Sequence, residues 1–340
     1  MKTGVFWKRA IAEAIRSDLN RKIVLMSGPR QSGKTTLAKH LFGNFDYLNY
    51  DVAEQQLAFK EKSWDRKKNL IIFDELHKLK NWKTWLKGIF DAEGLRPRIL
   101  VTGSSRLDIV RKAGESLAGR YFQYRLYPFD LKELNKTLKP ADALKRLLRV
   151  GGFPEPFIDG SDRFYGRWRK SHLDIILRQD LPDLEATRNI RSIETLVAML
   201  QTRVSSTLSY ASLARDLSCD PKTAKQWLGL LENLFVVFPL FPYHRNIARA
   251  ILKEPKYYFF DQARVTGNLG AQIENIVAFS IKKELDRLSD VEGISSEFHF
   301  LRTKEGHEID FLVRTEKRAD WLIEVKTSDG SPSPSFRHFS

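Results

Sequence analysis

Between Ser27 and Ala38 the chain reads Ser-Gly-Pro-Arg-Gln-Ser-Gly-Lys-Thr-Thr-Leu-Ala, so Gly28, Gly33, Lys34 and Thr35 carry the spacing G-x-x-x-x-G-K-[ST]. A loop of that kind can turn successive backbone N–H groups inward around a phosphate, because glycine tolerates the turns required and the following helix N-terminus adds partial positive charge. The residues Gly28, Pro29, Arg30, Gln31, Ser32, Gly33, Lys34, Thr35 and Thr36 are therefore the candidate ATP-binding set. Lys34 is expected on the β- and γ-phosphates and the Thr35 hydroxyl on Mg2+. A chance glycine-rich turn would not need the apolar strand Ile23 to Met26 before it and the helical Thr36-Leu37-Ala38 after it.

Leu70-Ile71-Ile72-Phe73 runs into Asp74 and Glu75, as expected where a buried parallel strand emerges at its C-terminal edge. Asp74 is the candidate Mg2+ ligand, and Glu75 the group that polarises an attacking water. Acidic residues end many apolar strands, so the pair gains its meaning from the phosphate loop upstream. Thr102-Gly103-Ser104-Ser105-Arg106 follows the fourth apolar run, and the Ser104 hydroxyl is a candidate for contact with the γ-phosphate or the attacking water. A turn that caps the next helix is the alternative. Arg120, in Leu117-Ala-Gly-Arg, is a candidate for stabilising transition-state charge in cis or across a subunit interface, against a plain surface ion pair.

A second constellation lies near the C-terminus. Glu274 sits among Ile273, Ile276, Val277 and Phe279 at helical spacing, followed by Glu308-Ile-Asp310-Phe and Ile323-Glu324-Val-Lys326. Strand periodicity puts Glu308 with Asp310 on one face and Glu324 with Lys326 on one face of the next strand. This is the D, then E-x-K order of restriction-type nucleases: Glu274, Asp310 and Glu324 would hold a divalent metal, and Lys326 would orient water or stabilise charge. A half-buried hairpin with solvated charges fits the same residues.

The elements that must position these groups follow from hydrophobic period. Up to about Leu134, apolar strands at Ile23 to Ser27, Tyr47 to Tyr50, Leu70 to Phe73, Ile99 to Thr102 and Tyr121 to Tyr127 alternate with helical stretches, which predicts an α/β domain with a mainly parallel sheet. Trp82, Trp85, Leu86, Ile89 and Phe90 recur at helical spacing and belong to the core. After Gly151, Gly152 and Pro154, the charged stretch Arg163 to Leu181 reads as a connector. From Ser192, three amphipathic helices and a hairpin suggest a winged helix-turn-helix, with Asp220 capping the third helix and Pro221 at its first position. Lys222, Lys225 and Gln226 lie opposite that helix's apolar stripe, where a recognition helix would meet DNA, and Arg245, Arg249, Lys253 and Lys256 flank the wing. A winged helix that only joins domains is the alternative. The expected organisation is residues 1–135 as a P-loop ATPase domain, 136–190 as a helical connector, 191–262 as a winged helix-turn-helix and 263–340 as a nuclease-like domain.

The motif order GPRQSGKTT, LIIFDE, VTGSS, LAGR, GGFPEP and a final IEVK resembles the prokaryotic AAA-type P-loop ATPases with a C-terminal restriction-endonuclease-like domain of unknown function. The likeness covers nearly the whole chain and implies ATP binding and hydrolysis. Fourteen residues follow Lys326, in a Ser-Pro tail too short for the helix and strands that normally close such a nuclease fold, so a truncated domain with little nuclease activity is expected.

Bulk properties bound the reading. A chain of 340 residues supports several cores, and 42% hydrophobic with 29% charged residues is an ordinary globular mix. The net charge of +15 favours polyanions, so DNA joins ATP as a candidate partner, with a second copy of the chain as a third. One cysteine, Cys219, can form no internal disulfide, which suits the cytoplasm. The first residues lack the apolar core of a signal peptide, and Leu234 to Tyr243 is too short to span a bilayer, so no membrane anchor is expected. The expected function is a nucleotide-dependent switch or motor acting on DNA; a non-enzymatic ATP-binding regulator that recruits a protein partner is the alternative.

Overall fold

The computed structural model describes residues 7–103, 117–180, 190–244, 253–303, 305–316, 318–328, 330–331 and 333–339. The chain packs as two compact units, Met1–Tyr127 and Pro128–Ser340. Ser104, Arg106, Arg245 and Arg249 lie outside the described residues.

The first unit is built on a five-stranded sheet: β1 Ile23–Ser27, β2 Phe45–Asn49, β3 Leu70–Asp74, β4 Arg98–Thr102 and β5 Tyr121–Arg125. Their order is β2-β3-β4-β1-β5, and every pairing is parallel. The continuous apolar runs of β1 and β3 are explained by burial on both faces. Helix Trp82–Glu93 lays Trp82, Leu86 and Ile89 into a core with Leu25, Phe73 and Val101, while Trp85 packs edge-on against Phe73 at 5.3 Å between ring centres. Each such fully buried large side chain stabilises the sheet by roughly 1.5–3 kcal/mol. Fourth in sequence, β4 lies between β1 and β3, and the register sets Asn49 beside Asp74, Asp74 beside Thr102, and Thr102 beside Met26. Four strands therefore end together where the chain enters the loop at Gly28.

The second unit opens with helices Pro140–Val150, Pro154–Asp159 and Asp162–Ile175. Part of the stretch expected as a connector is instead packed core: Val150, Phe153, Tyr165 and Trp168 form a buried cluster, and the Tyr165 hydroxyl donates to Asp261 Oδ2 at 3.0 Å. The Gly-Gly step is required by that packing, since a Cβ on Gly152 would lie 2.2 Å from the Phe129 carbonyl oxygen. Helices Ile190–Gln201, Tyr210–Asp216 and Pro221–Asn233 follow, then an antiparallel pair, β6 Val237–Leu240 with β7 Lys256–Phe259. Asp220 caps the third of these helices by accepting from the Thr223 N–H at 2.9 Å. Helix Leu269–Arg287 leads to a second antiparallel sheet, β8 Ser296–Arg302, β9 Glu308–Thr315 and β10 Arg318–Ile323, in the order β10-β9-β8. β10 stops at Ile323, so Glu324 and Lys326 lie beyond the strand that was expected to carry them.

Candidate functional site

The loop after β1 depends on backbone geometry that few residue types permit. Gly28 has φ +145°, and a Cβ there would lie 2.2 Å from the Leu126 carbonyl oxygen, so only glycine passes β5 at this point. Gln31 at φ +61° and Gly33 at φ +92° complete the reversal, and helix Lys34–Leu41 begins with no side-chain cap. Its first N–H groups, with their partial positive charge, suit an anion. Ser32 Oγ, buried and with no hydrogen-bond partner among the described residues, is a further donor for one. The Lys34 ammonium is buried and donates to the carbonyls of Gly28 at 2.9 Å and Pro29 at 2.7 Å, which folds it over the loop. Behind the loop, the buried Arg9 guanidinium donates to Ser32 O at 3.0 Å and to Tyr127 O. Thr36 is exposed on the outer face of the helix.

Asp74, only 6% exposed, ends β3 beneath this loop. Three hydroxyls donate to it: Thr35 Oγ1 to Oδ2 at 2.9 Å, Tyr47 OH to Oδ2 at 2.7 Å, and Thr102 Oγ1 to Oδ1 at 2.5 Å. The Thr35 hydroxyl and the Asp74 carboxylate are the hard oxygen donors that Mg2+ prefers, so the residues present fit the ion that the phosphate loop implies. Tyr47 was not among the candidates from sequence. Lying on β2, it comes within reach of Asp74 only through the strand register, and the Lys39 ammonium sits 3.8 Å from its ring centre. Burial, then the Asp74 hydrogen bond and charge, raise its phenol far above the ordinary range.

Glu75 stands immediately beyond the strand at φ +54°, a left-handed conformation uncommon for a residue other than glycine. Burial first, then the Asp74 charge, push Glu75 up to about 7, against the opposing pull of Lys34, Lys78 and Arg30. A carboxylate tuned in this way is suited to taking a proton from water near neutral pH. His77 Nε2 lies 3.5 Å from Glu75 Oε2 and is a second group that the sequence reading missed.

Arg120 is placed differently from the expectation in cis. Its carbonyl accepts from the Ile23 N–H, at the opposite end of β1 from the phosphate loop, and its guanidinium pairs with Asp91 at 2.7 Å. The length of β1, roughly 3.3 Å per residue, separates the Arg120 backbone from the loop at Gly28. The surface ion pair is what the structure displays.

In the second unit, Glu274 Oε1 accepts from Tyr258 OH at 2.7 Å and lies 3.5 Å from Lys256 Nζ, which meets Glu308 Oε1 at 2.6 Å. Asp310 Oδ2 accepts from the Val325 N–H at 2.8 Å, and burial together with the charges of Glu274 and Glu308 pushes its carboxyl up to about 6. Glu324 Oε2 accepts from the Ser333 N–H at 3.0 Å and is 3.4 Å from Lys326. Lys256 was expected beside the wing, facing DNA; at 1% exposure it is buried among carboxylates.

Residues 20–135 match the family model described as an AAA domain. Residues 141–271 and 269–340 match two domains of unknown function, DUF8612 and DUF4143. An uncharacterized protein of Mycobacterium tuberculosis is 28% identical over 345 aligned residues, which cover 97% of this chain and 76% of that protein. An uncharacterized protein of Haemophilus influenzae is 22% identical over 346 residues, covering 90% and 82% respectively. A Thermotoga maritima RuvB variant aligns at 18% identity and TM-score 0.35, over 68% of this chain and 88% of that one. Residues 20–135 are thus similar to an AAA domain, and no helix among the described residues is long and apolar enough to cross a membrane.

Proposed function

We propose that the chain binds ATP with Mg2+ in the first unit, hydrolyses it, and uses turnover as a nucleotide-dependent switch or motor on DNA in the cytoplasm. The observation that carries the hydrolytic part is the pairing of Asp74, held by neutral hydroxyls under the phosphate loop, with Glu75, whose carboxyl is pushed up to about 7 beside it. The backbone of Gly28 to Thr36 cradles the phosphates, the Lys34 ammonium exchanges its carbonyl partners for phosphate oxygens, and Thr35 with Asp74 would hold the metal. When bound, Mg2+ supplies neutralisation of phosphate charge. Glu75 orients the attacking water and receives its proton, while Tyr47 and Thr102 keep the Asp74 carboxylate in place.

The DNA part rests on the exposed Lys222, Lys225 and Gln226 of helix Pro221–Asn233, in the three-helix and hairpin arrangement of a winged helix. Arg120 has a catalytic role only if a second copy presents it, which makes a homo-oligomer the working assembly for that role. Steady-state turnover with and without duplex DNA tests the whole reading. DNA-stimulated hydrolysis is the expected result. Tight ATP binding with negligible turnover would instead leave a non-enzymatic regulator that recruits a partner.

A further inference from the structure

A restriction-type nuclease centre would draw a divalent cation onto Glu274, Asp310 and Glu324. Each of these carboxylates already has an engaged oxygen. Glu274 Oε1 takes the Tyr258 hydroxyl at 2.7 Å, Asp310 Oδ2 the Val325 N–H at 2.8 Å, and Glu324 Oε2 the Ser333 N–H at 3.0 Å. Lys326 donates to the Ser331 carbonyl at 2.6 Å rather than standing free. Among the described residues no three His, Cys, Asp or Glu side chains are grouped to hold a metal ion.

Another residue occupies the middle of the cluster. Lys256 opens β7 and is 1% exposed, with its ammonium 2.6 Å from Glu308 Oε1, 3.5 Å from Glu274 Oε1 and 5.3 Å from the centre of the Phe300 ring. A lysine so completely removed from water keeps its charge only with close anionic partners, and these carboxylates supply them. Its charge also acts on Asp310, against the raising influence of Glu274 and Glu308. A divalent cation needs oxygens at about 2.0–2.6 Å, and to reach these carboxylates it would have to enter against the ammonium that already sits among them.

We propose that Lys256 is the built-in cation of this cluster: its ammonium stands in for a divalent metal and ties β7 to helix Leu269–Arg287 and to β9, making the carboxylates a structural hub instead of a nuclease centre. The metal that the nuclease-like motif implies therefore does not fit, and the Ser-Pro tail is not needed to explain why. This inference is independent of the nucleotide site.

Mn2+ titration of the full chain without nucleotide, by calorimetry and by counting free Mn2+ with electron paramagnetic resonance, tests it. Wild type and Asp310→Asn are expected to bind Mn2+ with the same stoichiometry, any shared site disappearing in Asp74→Asn. Lys256→Gln is expected to gain one further Mn2+ per chain, abolished again in Lys256→Gln/Asp310→Asn, and its lowered melting temperature should be raised by Mn2+. A Mn2+ site in wild type that Asp310→Asn removes would overturn the proposal. So would Mn2+-dependent plasmid cleavage that Asp310→Ala abolishes, or a folded Lys256→Gln that gains no site. Should Lys256→Gln not fold, the wild-type and Asp310→Asn stoichiometries decide, because the proposal requires them to be equal.

Discussion

Asp74 and Glu274 are both largely buried, at 6% and 9% exposure, and both accept a tyrosine hydroxyl at 2.7 Å, yet their remaining company differs in kind. Around Asp74 the other donors are the hydroxyls of Thr35 and Thr102 and the Glu75 N–H, all of them neutral. Around Glu274 and Glu308 the central donor is the Lys256 ammonium. Hydroxyls hold a carboxylate in position and leave its negative charge for an incoming cation, to which Thr35 can also offer a lone pair. An ammonium consumes that charge. On the proposals above, two centres assembled from the same acidic residue types are thereby suited to different ends, one toward metal and nucleotide, the other toward internal cohesion.

The sharpest break of this contrast is at Glu75. Glu75→Gln should lower ATP turnover by about 10²–10⁴-fold while ATP affinity holds, as expected when a general base is removed and the cradle is kept. Equal loss of affinity in a nucleotide-binding titration would move Glu75 from chemistry to binding. Lys34→Ala follows, with affinity for ATP weakened by about 10–100-fold because a charge-assisted hydrogen bond to phosphate is removed. Unchanged binding would remove the phosphate assignment.

Stability compares the two carboxylate centres directly. Denaturant unfolding should show Lys256→Gln costing ~3 kcal/mol, the usual scale for stranding buried carboxylates, and Tyr47→Phe only ~1 kcal/mol, the scale of one hydrogen bond to a carboxylate that keeps its bonds from Thr35, Thr102 and the Glu75 N–H. If the two costs are alike, the ammonium is not the organising charge. On helix Pro221–Asn233, proposed to meet DNA, Lys222→Ala and Lys225→Ala should each reduce the steepness of log affinity against log salt by about 0.9, the effect of one fewer neutralised phosphate on duplex DNA. Parent-like slopes in both would direct DNA to another surface. The smallest effect is reserved for Arg120→Ala: at protein concentrations where the chain is monomeric, turnover should match the parent, since its guanidinium pairs with Asp91 at the far end of β1. A drop under those conditions would return Arg120 to a role in its own site.

Much of the first unit was legible in the sequence. The strand expected over Ile23 to Ser27 is the strand found, the other four lie within two residues of expectation at each end, and Trp82, Leu86 and Ile89 do face the core. The later regions were less legible. Arg163 to Leu181 read as a connector because its charges are conspicuous, whereas Tyr165 and Trp168 are packed and Tyr165 is bonded to the buried Asp261. Lys256 read as one more base beside a wing, since nothing local distinguishes a lysine destined for a carboxylate cluster from one bound for solvent.

By itself the sequence determined what is encoded over a few neighbouring residues: the glycine positions that let the loop turn at Gly28, the helix starting at Lys34, the apolar run ending in Asp74 and Glu75, and the Asp220 cap. The tertiary structure alone decided which distant residues meet. Inserting β4 between β1 and β3 brings Thr102 to Asp74, pairing β2 with β3 brings Tyr47 there, and the packing of β7 against helix Leu269–Arg287 delivers Lys256 to Glu274. Hydrophobic period fixes which face of an element is buried, but strand order, register and burial fix which charges share that space. The chemistry of each carboxylate followed from those shared spaces.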